Sequence, residues 1–150
     1  MPITTSIPKS IFTKAILIDT SALYAMADNN DNFHNAAVSC LKQIAEKHYP
    51  MWVTNCTIIE THRRIMHSLG IDKGLFFLDN IYSGDLSIIR VELEDEIQAR
   101  DYLHRYTDQD ITYYDAISFA VMKRLGIGSA FTFDNHFTTL GFNKIPPLFF

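Results

Sequence analysis

Four apolar residues in a row, Ala15 to Ile18, run straight into Asp19-Thr20-Ser21. A strand with one wet face alternates apolar and polar residues, so an unbroken apolar run predicts a strand covered on both faces, as parallel strands are. Helices must then lie on either side of it. The pattern returns near the other end of the chain, where Ser129 to Phe133 runs into Asp134. Packing alone gives a buried strand no use for a carboxylate at its end. The acid either caps the helix that follows or holds something.

Between these runs the chain alternates strand and helix. Residues 22–27 read as a short helix and Asp31 to His48 as a longer one, with Phe33, Ala37, Leu41, Ile44 and Ala45 on an inward stripe until Pro50 bars continuation. Met51 to Thr54 is a second strand, Asn55 to Leu69 a helix stopped by Gly70, and Ile71 to Ile81 another helix. Leu86 to Val91 is a third strand, followed by helices over Glu94 to Tyr106 and Tyr113 to Leu125, the latter closed by Gly126. Ser129 to Phe133 is the fourth strand, and a helical turn follows around Asn135 to Leu140. Pro146-Pro147-Leu148-Phe149-Phe150 supplies at most an edge strand, because prolines donate no ladder hydrogen bonds. The alternation predicts a three-layer α/β/α sandwich with a mainly parallel sheet of four to five strands. Ligands of such sheets bind beyond the carboxyl ends of the strands, where strand order reverses.

The 150 residues suit one domain, its core over 15–142, and 47% apolar with 20% charged residues is a globular composition. No apolar run approaches the roughly 20 residues of a spanning helix, and M-P-I-T-T-S-I-P-K lacks a secretory pattern, so a cytoplasmic protein without a membrane anchor is expected. Cys40 and Cys56 have neither C-x-x-C nor zinc spacing and read as small buried apolar residues. A net charge of −4 argues against gripping nucleic acid with a broad basic surface. A local basic patch or bound cations would have to supply the attraction.

Each prominent acid has a structural explanation when taken singly. Asp19 and Asp134 are good N-cap residues, Thr112-Tyr113-Tyr114-Asp115 matches a capping box, and Glu60 precedes Arg63 and Arg64 at ion-pair spacing, worth about 0.2–0.5 kcal/mol. Together they carry more weight. Asp19 and Asp134 end strands, Glu60 lies early in the helix leaving strand two, and Asp115 opens a helix that must start at the top of the sheet to feed strand four. All four are expected at one edge. Four carboxylates within about 8 Å form six repelling pairs of about 2 kcal/mol each at an effective dielectric near 20. Such a set, all oxygen and rigidly mounted, suits Mg²⁺ or Mn²⁺ better than zinc.

The stretches I-L-I-D-T-S-A-L, T-I-I-E-T-H-R-R, I-T-Y-Y-D-A-I-S-F-A-V-M-K-R-L-G-I and A-F-T-F-D-N-H-F carry these acids. They resemble the PIN-domain (PilT N-terminus-like) nucleases, most closely the VapC-type ribonuclease toxins, over about residues 15–142. The resemblance implies a five-stranded parallel α/β/α sandwich, one or two Mg²⁺ or Mn²⁺ ions, and hydrolysis of single-stranded RNA by in-line attack of a metal-activated water. It implies Asp19, Glu60, Asp115 and Asp134 as the metal-holding catalytic set, with Ser21 and Thr132 at hydroxyl positions that orient the metal's surroundings. A homodimer and an antitoxin partner are also implied.

Arg63 and Arg64 are candidates to grip RNA phosphates. Lys123 and Arg124 are weaker ones, since complementing a helix C-terminus is the simpler role. His136 beside Asp134 is a further candidate, and Tyr113 and Tyr114 either stack on a base or pack in the core. Competing readings are a non-catalytic RNA- or partner-binding module of the same fold, and a PIN nuclease of RNA processing unrelated to toxin–antitoxin systems. A haloacid-dehalogenase-like phosphatase needs a second Asp two residues after the first, where Ser21 stands.

Overall fold

The computed structural model describes residues 14–147. In chain order the elements are β1 (Ile16–Ile18), α1 (Thr20–Ala27), α2 (His34–Glu46), β2 (Met51–Thr54), α3 (Asn55–Leu69), α4 (Ile71–Ser83), β3 (Ser87–Ile89), α5 (Leu93–Arg105), α6 (Tyr113–Leu125), β4 (Ser129–Phe131), α7 (His136–Thr139) and β5 (Asn143–Ile145). The strands form one sheet in the order β3-β2-β1-β4-β5, and every neighbouring pair is parallel. The chain winds outward from β1 in one direction and then in the other. The switch point therefore lies between β1 and β4, which pair Ile16 with Ser129, Leu17 with Ala130 and Ile18 with Phe131.

The apolar run that predicted a doubly covered strand has its reason in the two cores. Ile16 and Ile18 pack with Phe131 and Val53 under α1 to α4, while Ala15 and Leu17 pack with Ala130 and Ile89 under α5, α6 and α7. Period-two geometry sends successive side chains to opposite faces, so both sets must be apolar. Helix ends follow local chemistry. Thr54 caps α3 by accepting the Thr57 amide, Thr112 and Asp115 form the expected capping box, and Gly126 ends α6 in a left-handed conformation at φ 71°.

Three sequence expectations shift. Helix α2 begins at His34 rather than Asp31, so Phe33 and Ala45 are exposed and the buried stripe is Ala37, Cys40 and Ile44. Strand β4 ends at Phe131, because the Thr132 hydroxyl takes the Asp134 amide and turns the chain. Asp134 thus stands three residues past the strand. The edge strand is Asn143–Ile145, ahead of the two prolines, since residues before Pro146 keep the amides that a ladder needs. Leu148 to Phe150 lie outside the described residues.

A buried ion pair locks α5 to α6. Asp95, 1% exposed, accepts from Arg124 Nε at 2.8 Å and from a second guanidinium nitrogen at 2.9 Å, with Glu92 at 3.4 Å. The bidentate fork satisfies both carboxylate oxygens. Arg124 does lie in the last turn of α6, as its helix-end reading had it, and its guanidinium is committed to Asp95 rather than offered to RNA. Arg124→Ala strands a buried carboxylate and should destabilise the protein by about 3 kcal/mol in urea unfolding, while Asp95→Asn with Arg124→Met should cost clearly less than the two single changes summed.

Candidate active site

The register of β1 on β4 sets the site. Because Ile18 lies opposite Phe131, the next residues, Asp19 and Thr132, emerge side by side, and the Asp19 amide donates to the Phe131 carbonyl at 3.0 Å. Asp19 occupies the N-cap position of α1, yet its side chain caps nothing. Its carboxylate turns instead to the sheet edge. Oδ1 accepts from the Tyr114 hydroxyl at 2.8 Å, and Oδ2 accepts from Thr132 at 2.9 Å with the Ser21 hydroxyl at 3.0 Å. Ser21 in turn accepts the Phe133 amide at 2.9 Å.

An ionised carboxylate only accepts, so Asp19 fixes the direction of the hydroxyls behind it. Tyr114, whose hydroxyl donates to Asp19, accepts from Thr20 at 2.9 Å and Thr57 at 2.8 Å. Thr61 donates to Thr20 at 3.2 Å and Thr54 to Thr57 at 3.0 Å. Burial, first, and the Asp19 charge push the Tyr114 phenol well above its usual pKa. Tyr114 is therefore a neutral strut. Buried at its hydroxyl end, as core packing requires, it is tied there to Asp19 and the two threonines rather than offered to a base.

Asp115 is buried and accepts the Thr112 amide at 3.0 Å while its own amide donates to Thr112 Oγ1 at 3.1 Å. Desolvation raises its pKa most, the Thr112 bonds pull it down, and the charges of Asp134 and Asp19 raise it further. Asp134 Oδ1 accepts the His136 amide at 2.9 Å and has the His136 ring nitrogen Nδ1 at 3.1 Å. One ligand atom each from Asp115, Asp134 and His136 lie within 4.8 Å of one another. That nitrogen is buried and has no well-aligned hydrogen bond.

Glu60 stands apart from this group: its carboxylate is held by Arg63 at 2.9 Å, the i, i+3 pair anticipated from spacing. Its helix still reaches the site, through Thr57 and Thr61 on neighbouring turns. Arg64 lies 4.4 Å over the Tyr24 ring, a cation–π contact. Ser21 and Thr132, read from the sequence as hydroxyls that orient the metal's surroundings, both bond the Asp19 carboxylate. Sequence reasoning undervalued His136, whose signal was its place two residues after Asp134, and missed the Tyr114 strut, which has no local signal.

Two outcomes follow from this geometry. Tyr114→Phe leaves the Thr20 and Thr57 hydroxyls without their acceptor and should cost about 1–3 kcal/mol in unfolding free energy. Folding raises the Asp115 pKa, so the metal-free fold holds that proton more tightly than the unfolded chain does. The resulting stabilisation exists below the ordinary carboxyl pKa and is lost as pH rises through the raised one. Asp115→Asn keeps an acceptor for Thr112 without the charge. In metal-free unfolding measured across that window, its stability relative to wild type should climb with pH; a pH-independent gap would reject the electrostatic account.

A family model described as PIN domain matches residues 16–143. The 23S rRNA-specific endonuclease VapC20 of Mycobacterium tuberculosis is 28% identical over 137 residues, which cover 88% of this chain and 98% of that protein. The crystal structure of that species' VapC20, described as a sarcin–ricin loop cleaving toxin, is similar with a TM-score of 0.81 at 27% identity, over 88% of this chain and 99% of that one. FitAcB from Neisseria gonorrhoeae shares the fold with a TM-score of 0.67 at 16% identity, over 90% of this chain and 99% of that one. VapBC2 from Rickettsia felis, bound to a promoter DNA fragment, does so at 0.66 and 13%, over 87% and 96%. With the family model spanning most of the length and the switch-point acids on the sheet edge, the chain belongs to the PIN-domain family.

Proposed function

We propose that this protein is a divalent-metal-dependent endoribonuclease of the VapC toxin type that hydrolyses phosphodiester bonds in unpaired RNA. The observation that carries the reading is the cluster of Asp115, Asp134 and His136 beside the β1–β4 switch point, close enough to share one ion, with the Asp19 charge acting on Asp115. The donor set fits such an ion. Its carboxylates repel one another, Asp115 is held back from ionising, and an imidazole nitrogen beside them lacks a good partner.

Asp115, Asp134 and His136 would hold the cation, with Asp19 beside them and Glu60 joining on release from Arg63. When bound it supplies Lewis-acid charge for the phosphodiester and a lowered pKa for water. The chain's own part is positioning. Tyr114 and Thr132 hold Asp19 from two sides, the capping box holds Asp115, and the turn at Thr132 presents Asp134. The imidazole favours Mn²⁺ over Mg²⁺, which takes oxygen donors almost exclusively. Arg63, its side chain 65% exposed, offers charge to an incoming phosphate.

VapC20 acts on 23S rRNA, and its similarity over nearly the whole length of both chains makes that RNA the first substrate to try. An antitoxin, implied by the VapC-type resemblance, has apolar surface to bind: Ile71, Leu75 and Phe76 of α4 are each more than half exposed. The purified protein should cut 23S rRNA with Mn²⁺, more slowly with Mg²⁺ and not in EDTA. Asp19→Asn and Asp115→Asn should each lower the rate by at least about 100-fold, the equivalent of a few kcal/mol of charge stabilisation. Cleavage indifferent to EDTA and to both variants would sink the proposal.

A further inference from the structure

We infer that Phe33, stacked on Phe133 at the rim of the acidic edge, is a platform on which one unpaired base of the RNA stacks; this rests on the ribonuclease reading and adds how the strand is gripped. The two rings lie 4.5 Å apart between centroids at an interplanar angle of 13°. Phe133 directly precedes Asp134, and its amide donates to the same Ser21 hydroxyl that sits 3.0 Å from the Asp19 carboxylate. The stack is thus built into the frame that holds the acids. Phe131 also meets Phe133, at 6.3 Å and 66°, and helps fix that ring.

Phe33 itself is 49% exposed while one face of its ring stacks on Phe133. Helical spacing assigned it to the core, but α2 starts one residue later and leaves it outside. Its position is nonetheless rigid. The Phe33 amide donates to Asp31 Oδ1 at 2.8 Å, the His34 amide donates to the Asp31 carbonyl at 3.0 Å, and Asp28 takes both the Tyr24 hydroxyl and the Asn30 amide at 3.0 Å. A ring already held in one orientation loses little freedom when a base lands on it.

Charge explains why such a platform is needed. The protein carries −4, and several of its arginines already have partners: Arg63 with Glu60, Arg64 with the Tyr24 ring, Arg124 with Asp95. Phosphate contacts are the usual source of affinity for nucleic acid, and a net negative charge opposes them. Stacking on an aromatic face draws on dispersion and desolvation, tolerates any base, and does not depend on net charge. Unpaired RNA offers the splayed bases that such a face recognises.

The test uses the whole protein in EDTA and a short fluorescent single-stranded RNA, alongside copies carrying one abasic nucleotide walked along the strand. Phe33→Ala should weaken binding by about 5- to 150-fold. Phe33→Leu should lose most of that affinity, and Phe33→Tyr should keep it. In the wild type one abasic position should cost affinity, and in Phe33→Ala that cost should vanish. With Mn²⁺, KM should rise in Phe33→Ala while the rate at saturating RNA holds. Equal affinities of wild type and Phe33→Ala, a Leu variant as good as wild type, or abasic costs that are the same in both proteins would overturn the platform. If the wild type cuts RNA and Phe33→Ala matches it, the platform falls and the nuclease reading stands; a wild type that neither binds nor cuts RNA overturns both.

Discussion

A carboxylate accepts hydrogen bonds and never donates them, and at Asp19 that one-way rule organises the carboxyl edge of the sheet. Thr132 from the end of β4 and Tyr114 from α6 point their protons at it, and the threonines of α1 and α3 point theirs at Tyr114. Four elements are drawn to one atom group by a network in which each hydroxyl has one orientation. Networks of this kind strengthen in low dielectric when every member is satisfied and fail together when one is not. The elements tied this way also carry the other acids, Asp115 on α6, Asp134 after β4 and Glu60 on α3. A network that stabilises the fold therefore also places the candidate ligands.

The acids do not neutralise one another. Burial, first, and the charges of Asp134 and Asp19 make Asp115 hold its proton more tightly, against the pull of the Thr112 hydrogen bonds. Glu60 takes the alternative and leans on Arg63. Elsewhere the protein handles a buried acid differently: Asp95 has a guanidinium fork on both oxygens, and the pair joins two helices. The contrast between Asp95 and Asp115 separates a structural carboxylate from one kept available. Each is buried; only the first is fully paired.

Much of the scaffold was legible because its cause is local. The unbroken apolar run at Ala15 to Ile18 demanded cover on both faces, and two cores supply it. Met51–Thr54, Asn55–Leu69 and Tyr113–Leu125 agree with their sequence boundaries because Thr54, Gly70, Thr112 and Gly126 are end signals in themselves. Where a boundary depended on partners, reading slipped. Phe33 fits the helical stripe, yet its ring has Phe133 to stack on, and Arg124, a helix-end cation as expected, also pairs with Asp95 from another helix.

By itself, the sequence determined the α/β alternation, the parallel sheet and the acids at the strand ends, since periodicity, caps and strand-to-helix order are properties of neighbouring residues. Tertiary structure alone decided which acids meet: the pairing of Ile18 with Phe131 puts Asp19 beside Thr132, and the seating of α6 brings Tyr114 to Asp19 across 95 residues of chain. It also set Glu60 on Arg63, apart from the Asp115–Asp134–His136 group, and left Phe33 exposed. Contacts of that kind depend on how elements pack in space, and spacing along the chain does not encode them.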